Sequence, residues 1–335
     1  MRLRRQPARL RAGLGPGLAE VGPGTGHGNV WLRVLRELRS SDEVELMAAG
    51  QPDVWLASGH AEPVATQRPV VVQVHEIGWH DPELRAFLHP DFADALEPAT
   101  RAAVAAATRV ITPSEAARRQ VIDAYGVAED LVHAVPHGVD SATFRPGLGG
   151  GRDLVGAPYV LFVGVLHPRK NYAAVREAVA SLANRGLPHV LAIVGAPAAD
   201  PRREFEQEAV AELPGLPGRM VRLRDPSDAQ LAALMAGADA FCLPSFFEGF
   251  GLPALEAMAC GAPVVVSDRG ALPEVVGDAG LVVGPTAEAV EDALHRVLTE
   301  PELSERLAKA GVERAARFSW RRTAGGWLEA LRAAA

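Results

Sequence analysis

Short runs of β-branched and aliphatic residues alternate with longer stretches of helical periodicity along nearly the whole chain, the pattern of parallel sheets covered by helices. Two such series are present. The first predicts strands at Val44–Leu46, Val54–Ala57, Val70–His75, Val110–Thr112 and Leu131–Pro136, with helices at Asn29–Arg39, Phe92–Thr108 and Ser114–Tyr125. The second predicts strands at Tyr159–Gly164, Val190–Gly195, Met220–Arg224, Ala240–Pro244 and Pro263–Ser267, with helices at Tyr172–Asn184, Arg203–Leu213, Asp228–Ala236 and Pro253–Cys260. Helices over Thr286–Glu300 and Pro301–Phe318 follow, and then an amphipathic helix, Trp320–Ala335. Between the two series, Asp140–Pro158 holds Phe144-Arg145-Pro146-Gly147 and Gly149-Gly150-Gly151, a composition that reads as an interdomain linker. The expectation is an α/β chain with domains over 1–148 and 152–319, each doubly wound, facing a cleft. Ligands of such sheets sit beyond the carboxyl ends of strands.

Charge and cysteine content narrow the function classes. Among the 335 residues, 41 acidic side chains outnumber 34 basic ones, for a net charge of −7, which argues against wholesale coating of nucleic acid. The two cysteines, Cys242 and Cys260, lie in apolar runs and read as buried free thiols rather than a disulfide framework or a zinc site. Apolar runs such as Val70–Val74 break at His75 and Glu76, short of the ~18 residues a membrane span needs. Arg2, Arg4, Arg5, Arg9 and Arg11 are not followed by the apolar core of a secretory signal, so a cytoplasmic setting is expected. Peripheral contact of those arginines with an inner membrane face is a second reading.

The stretch Glu248-Gly249-Phe250-Gly251-Leu252-Pro253-Ala254-Leu255-Glu256 follows a predicted strand and opens a predicted helix. Its glycines let a ligand approach the backbone, and the free N–H groups of a helix start suit a phosphate or sugar oxygens. Both glutamates can accept hydrogen bonds from vicinal hydroxyls. Alone, the pair has a plainer explanation as a cap and a solvated helix residue; the glycines and the strand-loop-helix setting favour a ligand site. The same geometry recurs at Gly164, followed by His167-Pro168-Arg169-Lys170-Asn171, where Arg169 and Lys170 are either a surface cation pair or the clamp for an anionic ligand. His75 closes a strand too apolar to face water, as a site residue or a structural histidine. Gly22-Pro23-Gly24-Thr25-Gly26-His27-Gly28-Asn29 offers no register of G-x-G-x-x-G, which removes the main support for a nicotinamide dehydrogenase.

Taken in order, the Gly-rich loop, Val74-His75-Glu76, Thr112-Pro113-Ser114-Glu115, Pro136-His137-Gly138-Val139-Asp140, Phe162-Val163-Gly164, Arg169-Lys170-Asn171 and the two glutamates resemble the retaining glycosyltransferases of family 4, from about Gly22 to Trp320. The resemblance implies the GT-B fold, with an acceptor-side first domain completed by a terminal helix over 320–335 and a nucleotide-sugar-binding second domain. It implies His75 near the donor sugar, Arg169 and Lys170 on the diphosphate, Glu248 on sugar hydroxyls and Glu256 on the ribose. Backbone from Phe250 through Gly251 to Leu252, together with Gly28 and Gly164, would lie against sugar and phosphates, and Leu223 near the base. The chain departs from the pattern in three places. Val165 stands where many members have an arginine, His137 replaces the asparagine of the N-G-V-D turn, and Met1–Val21, rich in Arg, Gly and Pro, implies a short, displaced or poorly ordered first strand.

The implied reaction is transfer of a sugar from a GDP-, UDP- or dTDP-sugar to an acceptor hydroxyl on a glycan, a lipid-linked carrier or a small molecule, with retention. The leaving diphosphate acts as base, and neither a metal nor a cofactor is expected, since no Asp-x-Asp triplet is present. A sugar-nucleotide epimerase or a glycoside phosphorylase on the same scaffold is the alternative, and a non-catalytic sugar-nucleotide sensor a further one.

Overall fold

A computed structural model describes residues 9–18, 21, 26–87, 90–195 and 219–335. They form two compact units. One comprises the chain up to Ile77, Asp91–Gly138 and Trp320–Ala335, and the other Gly78–Pro90 with Val139–Ser319. The Gly- and Pro-rich stretch Asp140–Pro158 falls within the second and contains a short helix, Gly151–Val155, flanked by Gly150 and Gly156 at φ of 90° and 81°.

In the first unit, β1 (Leu10–Leu14), β2 (Val44–Met47), β3 (Val54–Ser58), β4 (Val70–Gln73), β5 (Arg109–Thr112) and β6 (Val132–Ala134) form a parallel sheet in the order β2-β1-β3-β4-β5-β6. In the second, β7 (Tyr159–Val163), β8 (Val190–Val194), β9 (Met220–Leu223), β10 (Ala240–Leu243), β11 (Val264–Ser267) and β12 (Leu281–Val283) run in the order β12-β11-β10-β7-β8-β9, again parallel. Every residue of β7, β8, β10 and β11 is buried, as strands covered on both faces must be. Both units are doubly wound: strand order reverses between β1 and β3 in one sheet and between β7 and β10 in the other.

The structure differs from the sequence reading at several elements. The first strand is a full five-residue member paired on both sides, and its Leu-Arg-Ala-Gly-Leu lacks β-branched residues because space is tight there. A Cβ on Gly13 would come within 2.7 Å of Pro52 and Trp55. The Arg11 guanidinium pairs with Asp53 at 2.6 Å, and Arg9 donates from Nε to the Val44 carbonyl at 2.7 Å. Two of the five arginines offered for membrane contact are thus used within the sheet, while Arg2, Arg4 and Arg5 lie outside the described residues, as does the predicted helix Arg203–Leu213. The helix expected from Asn29 begins at Gly26, and the strand expected to reach His75 ends at Gln73. Among the described residues no helix is long and apolar enough to cross a membrane.

The helix Trp320–Ala334 packs on the helix Gly26–Arg39 within the first unit. Its Trp327, fully buried, meets Trp31 edge to face with ring centroids 4.8 Å apart, and Arg332 pairs with Glu43 at 2.5 Å. Trp327→Ala should lower unfolding free energy by about 3–5 kcal/mol, the usual cost of deleting a buried aromatic. Urea unfolding followed by tryptophan fluorescence measures it, and a loss below 1 kcal/mol would show that this helix does not complete the core.

Candidate functional site

The reversal of strand order between β7 and β10 leaves a crevice beyond their carboxyl ends, where no crossover helix covers the sheet. The loops that follow these two strands run from Gly164 to Asn171 and from Pro244 to Gly251. They carry most of the residues singled out in the second series, so strand topology brings together segments far apart in sequence.

Lys170 and Glu248 meet there. Lys170 donates from Nζ to both carboxylate oxygens of Glu248, at 2.6 and 2.8 Å, and Arg169 places a guanidinium nitrogen 3.8 Å from the same carboxylate. Arg169 also donates to the Phe247 carbonyl at 2.5 Å, and its own carbonyl accepts from the Phe246 N–H at 2.8 Å. Glu248 is only 6% exposed, and a carboxylate so deep needs counter-charge and hydrogen bonds together. Ser245 supplies one such bond, from Oγ to Oε1 at 2.6 Å. Gly164 sits against the stem of Lys170: a Cβ there would lie 3.7 Å from its Cδ and Cε.

The turn into the next helix depends on two left-handed glycines. Gly251, at φ 98°, caps the helix Leu252–Ala259, and a side chain on it would meet Leu272 at 2.7 Å. Gly270, at φ 57°, leaves room for the Glu248 backbone, since a Cβ there would lie 2.8 Å from the Glu248 nitrogen, and the Glu248 carbonyl accepts from Ala271 N–H at 3.0 Å. Phe250 is buried, and its ring meets Phe318 edge to face with centroids 6.1 Å apart. Leu252 and Glu256 lie half-buried in the first two turns, and Leu223 ends β9.

Three contributors had no role assigned from sequence. Asn171, at φ 51°, donates from Nδ2 to the carbonyls of Pro244 and Pro285 at 3.1 and 2.7 Å, tying together the loops after β7, β10 and β12. Ser245 orients Glu248, and Ser267 donates to the Ser245 carbonyl at 2.5 Å. Ser245 directly follows a predicted strand, which was the available signal; Asn171 and Ser267 had none beyond position.

The remaining two residues, His75 and Gly28, belong to the first unit. Gly28 is buried in the opening turn of the helix Gly26–Arg39, not in a loop ahead of it; Gly22–Thr25 lie outside the described residues. His75 joins an imidazole cluster at the carboxyl ends of β3, β4 and β6 and at that helix start. Its ring meets His27 edge-on, with centroids 5.3 Å apart, and stacks on His137 at 5.4 Å. Its backbone N–H donates to His60 Nε2 at 3.4 Å, while His60 Nδ1 lies 3.2 Å from the Thr100 hydroxyl. Trp31 donates from Nε1 to His27 Nε2 at 3.0 Å, which puts the proton of neutral His27 on Nδ1. Burial first, and then neighbouring imidazoles, push His27 down to about 3 and His60 to about 4, and hold His137 well below its ordinary range. Among the described residues no group of three or more His, Cys, Asp or Glu side chains could hold a metal ion.

These histidines are neutral in the fold but take protons in the unfolded chain below its ordinary histidine pKa of about 6.5. Their contribution is therefore complete above that pH and declines as pH falls toward the folded values of about 4 and 3, by up to ~1.4 kcal/mol per pH unit for each histidine. Melting curves between pH 7.5 and 4.5 should show a falling midpoint in that window, and the fall should be shallower in His60→Gln.

Two family models match the chain: one described as glycosyltransferase family 4 over residues 10–143, the other as glycosyl transferases group 1 over residues 154–314. A D-inositol 3-phosphate glycosyltransferase of Acidothermus cellulolyticus is 36% identical over 296 residues, 83% of this chain and 65% of that protein. An MMP alpha-(1->4)-mannosyltransferase of Mycolicibacterium hassiacum is 34% identical over 220 residues, 64% of this chain and 51% of that protein. The aligned part of the chain spans 60 to 65% of the length of the inositol-phosphate glycosyltransferases of Frankia alni and Acidothermus cellulolyticus. Among solved structures, sucrose-phosphate synthase from Thermosynechococcus elongatus superposes with a TM-score of 0.78 at 20% identity, covering 98% of this chain and all of that one. Anabaena HepE in complex with UDP and glucose does so with a TM-score of 0.74 at 20% identity, covering 97% and 100%. With two parallel doubly wound units and both models matched in succession, this chain belongs to glycosyltransferase family 4, the group 1 glycosyl transferases, and has the α/β GT-B fold.

Proposed function

We propose that this chain transfers a sugar from a nucleotide diphosphate sugar to an acceptor hydroxyl, with retention at the anomeric carbon and without a metal ion. The observation that carries the reading is the cluster of Lys170, Arg169 and Glu248 at the β7/β10 switch point, beside a helix start opened by Gly251. A diphosphate needs fixed positive charge at the bond that breaks, and two part-buried cations beside the positive end of a helix supply it. Glu248, already oriented by Ser245, accepts hydrogen bonds from donor-sugar hydroxyls, and Glu256 from the ribose. In the step itself, the bond from the anomeric carbon to the diphosphate oxygen breaks as the acceptor oxygen bonds to the same face. The acceptor proton passes to the departing diphosphate, whose charge Arg169 and Lys170 stabilise.

Relatives named for glycosyl transfer to inositol phosphate and for mannosyl transfer support this class of reaction, and the complexes of HepE with UDP and with UDP-glucose support a nucleotide-sugar donor. GDP-, UDP- and dTDP-sugars are the donor classes, and a hydroxyl on a glycan, a lipid-linked carrier or a small molecule is the acceptor. The setting is cytoplasmic, in keeping with two buried free thiols.

The test is a thermal-shift screen of UDP, GDP and dTDP and their sugars. A ligand at 100 times its Kd adds about 2.7 kcal/mol of stability. Glu256→Ala should keep its own melting temperature and lose most of the shift. Lys170→Ala should lose the shift and also melt lower, because Glu248 remains buried without its closest cation. Turnover should fall on the order of 10²–10³ when either cation is removed. A shift unchanged in both variants refutes the site, and turnover abolished by EDTA and restored by Mg²⁺ or Mn²⁺ refutes the metal-free step.

A further inference from the structure

Gly78–Pro90 belongs to the second unit, although it follows β4 and precedes β5 and β6 of the first sheet. The chain leaves the first unit after Ile77 and returns to it at Asp91. Local chemistry shapes this excursion. Asp81 accepts from the Glu83 and Leu84 N–H groups at 2.9 and 3.4 Å and so caps the short helix Pro82–Arg85, after which the Phe87 N–H donates to the Leu84 carbonyl at 3.0 Å. Leu84 is buried, and a Cβ on Gly78 would lie 3.6 Å from its Cδ1 and 3.8 Å from Cδ1 of Phe247. Phe87 is half-buried and stacks on Phe246, with ring planes 15° apart and centroids at 5.0 Å. The excursion is thus seated on the two residues that precede Glu248 in the loop after β10.

We propose that Phe87 is a positioning residue for Arg169 and Glu248, acting through Phe246. The proposal rests on the diphosphate role given to Arg169 and the donor-sugar role given to Glu248 above. Phe246 donates its N–H to the Arg169 carbonyl at 2.8 Å, and the Phe247 carbonyl accepts from the Arg169 guanidinium at 2.5 Å. These two bonds tie Arg169 to Phe246 and Phe247, so a displacement of the loop at Phe246 carries the guanidinium with it. Glu248 is the next residue, and its carboxylate stands 3.8 Å from the same guanidinium. The stack on Phe87 acts at the start of this series of contacts: it seats the Phe246 ring, and the hydrogen bonds pass that position on to the charges. An aromatic pair carries an equilibrium factor of about 2 to 12 beyond its burial, which bounds the effect on anion affinity that loss of the stack alone should have.

Phe87→Leu and Phe87→Tyr separate the alternatives, since leucine keeps the apolar bulk and loses the ring face while tyrosine keeps the face. Two readouts are needed. The first is the Nε–H signal of Arg169 in ¹H–¹⁵N spectra, assigned with Arg169→Lys: it should coincide in the wild type and Phe87→Tyr and be displaced in Phe87→Leu. The second is calorimetric affinity for UDP, GDP and inorganic pyrophosphate. Phe87→Leu should lose about threefold or more for the ligand that binds, and Phe87→Tyr should restore the wild-type value. A lower melting temperature in Phe87→Leu with the Arg169 signal and the affinity both unmoved shows a packing contact alone and overturns the proposal. A Phe87→Tyr protein that behaves like Phe87→Leu overturns it too. If the Arg169 signal responds as expected but neither nucleotide nor pyrophosphate binds the wild type, the diphosphate reading has failed, and the positioning role toward that ligand falls with it.

Discussion

A carboxylate buried to 6% exposure cannot remain charged without compensation, and Glu248 obtains it from a lysine 78 positions away in sequence. That pairing holds only if β7 and β10 are neighbours, so the strand order of the second sheet and the ion pair at its switch point support one another. Around the pair, Asn171 draws in the loops after β10 and β12, Ser245 fixes one carboxylate oxygen, and Ser267 fixes Ser245. The result is a set of loops joined by charge-assisted and backbone hydrogen bonds that hold two cations in place at the switch point.

The two cations share one carboxylate, and this bears on how the chain manages without the arginine that many family members place directly after the strand glycine. Val165 occupies that position and is exposed. Arg169 and Lys170, both on the 3₁₀ turn Pro168–Lys170, stand within 4 Å of Glu248, so the three groups together carry a single net positive charge. Local charge at this turn is thus one cation in excess, set beside the helix start at Gly251.

Much of this was legible in the sequence, and the exceptions have physical reasons. Strands of the second sheet announce themselves as continuous apolar runs because both faces are covered, whereas β1 hides behind Gly13, which is small to admit Trp55. The helix start at Gly26 was missed because Gly26-His27-Gly28 carry little helical propensity, and the periodic residues begin only afterwards. At the site, Glu248, Lys170 and Arg169 could be named from their place after strands, but their mutual contact depends on strand order, which no local pattern encodes. The histidine cluster was the least legible part: its four rings come from four segments, and only His75 had been singled out as a ligand contact.

The helix Trp320–Ala334 covers Trp31 and completes the first unit, yet it leaves the ribosome long after the strands it caps. The second unit is nearly contiguous in sequence and can close around its own sheet beforehand. Domains usually mature from the N-terminus at about 5–20 residues per second, so the first unit waits on the order of tens of seconds for its closing helix, and the second unit is complete shortly before that helix emerges. Throughout that interval the apolar face of the helix Gly26–Arg39, with Trp31 at its centre, lacks the aromatic partner that covers it in the finished fold.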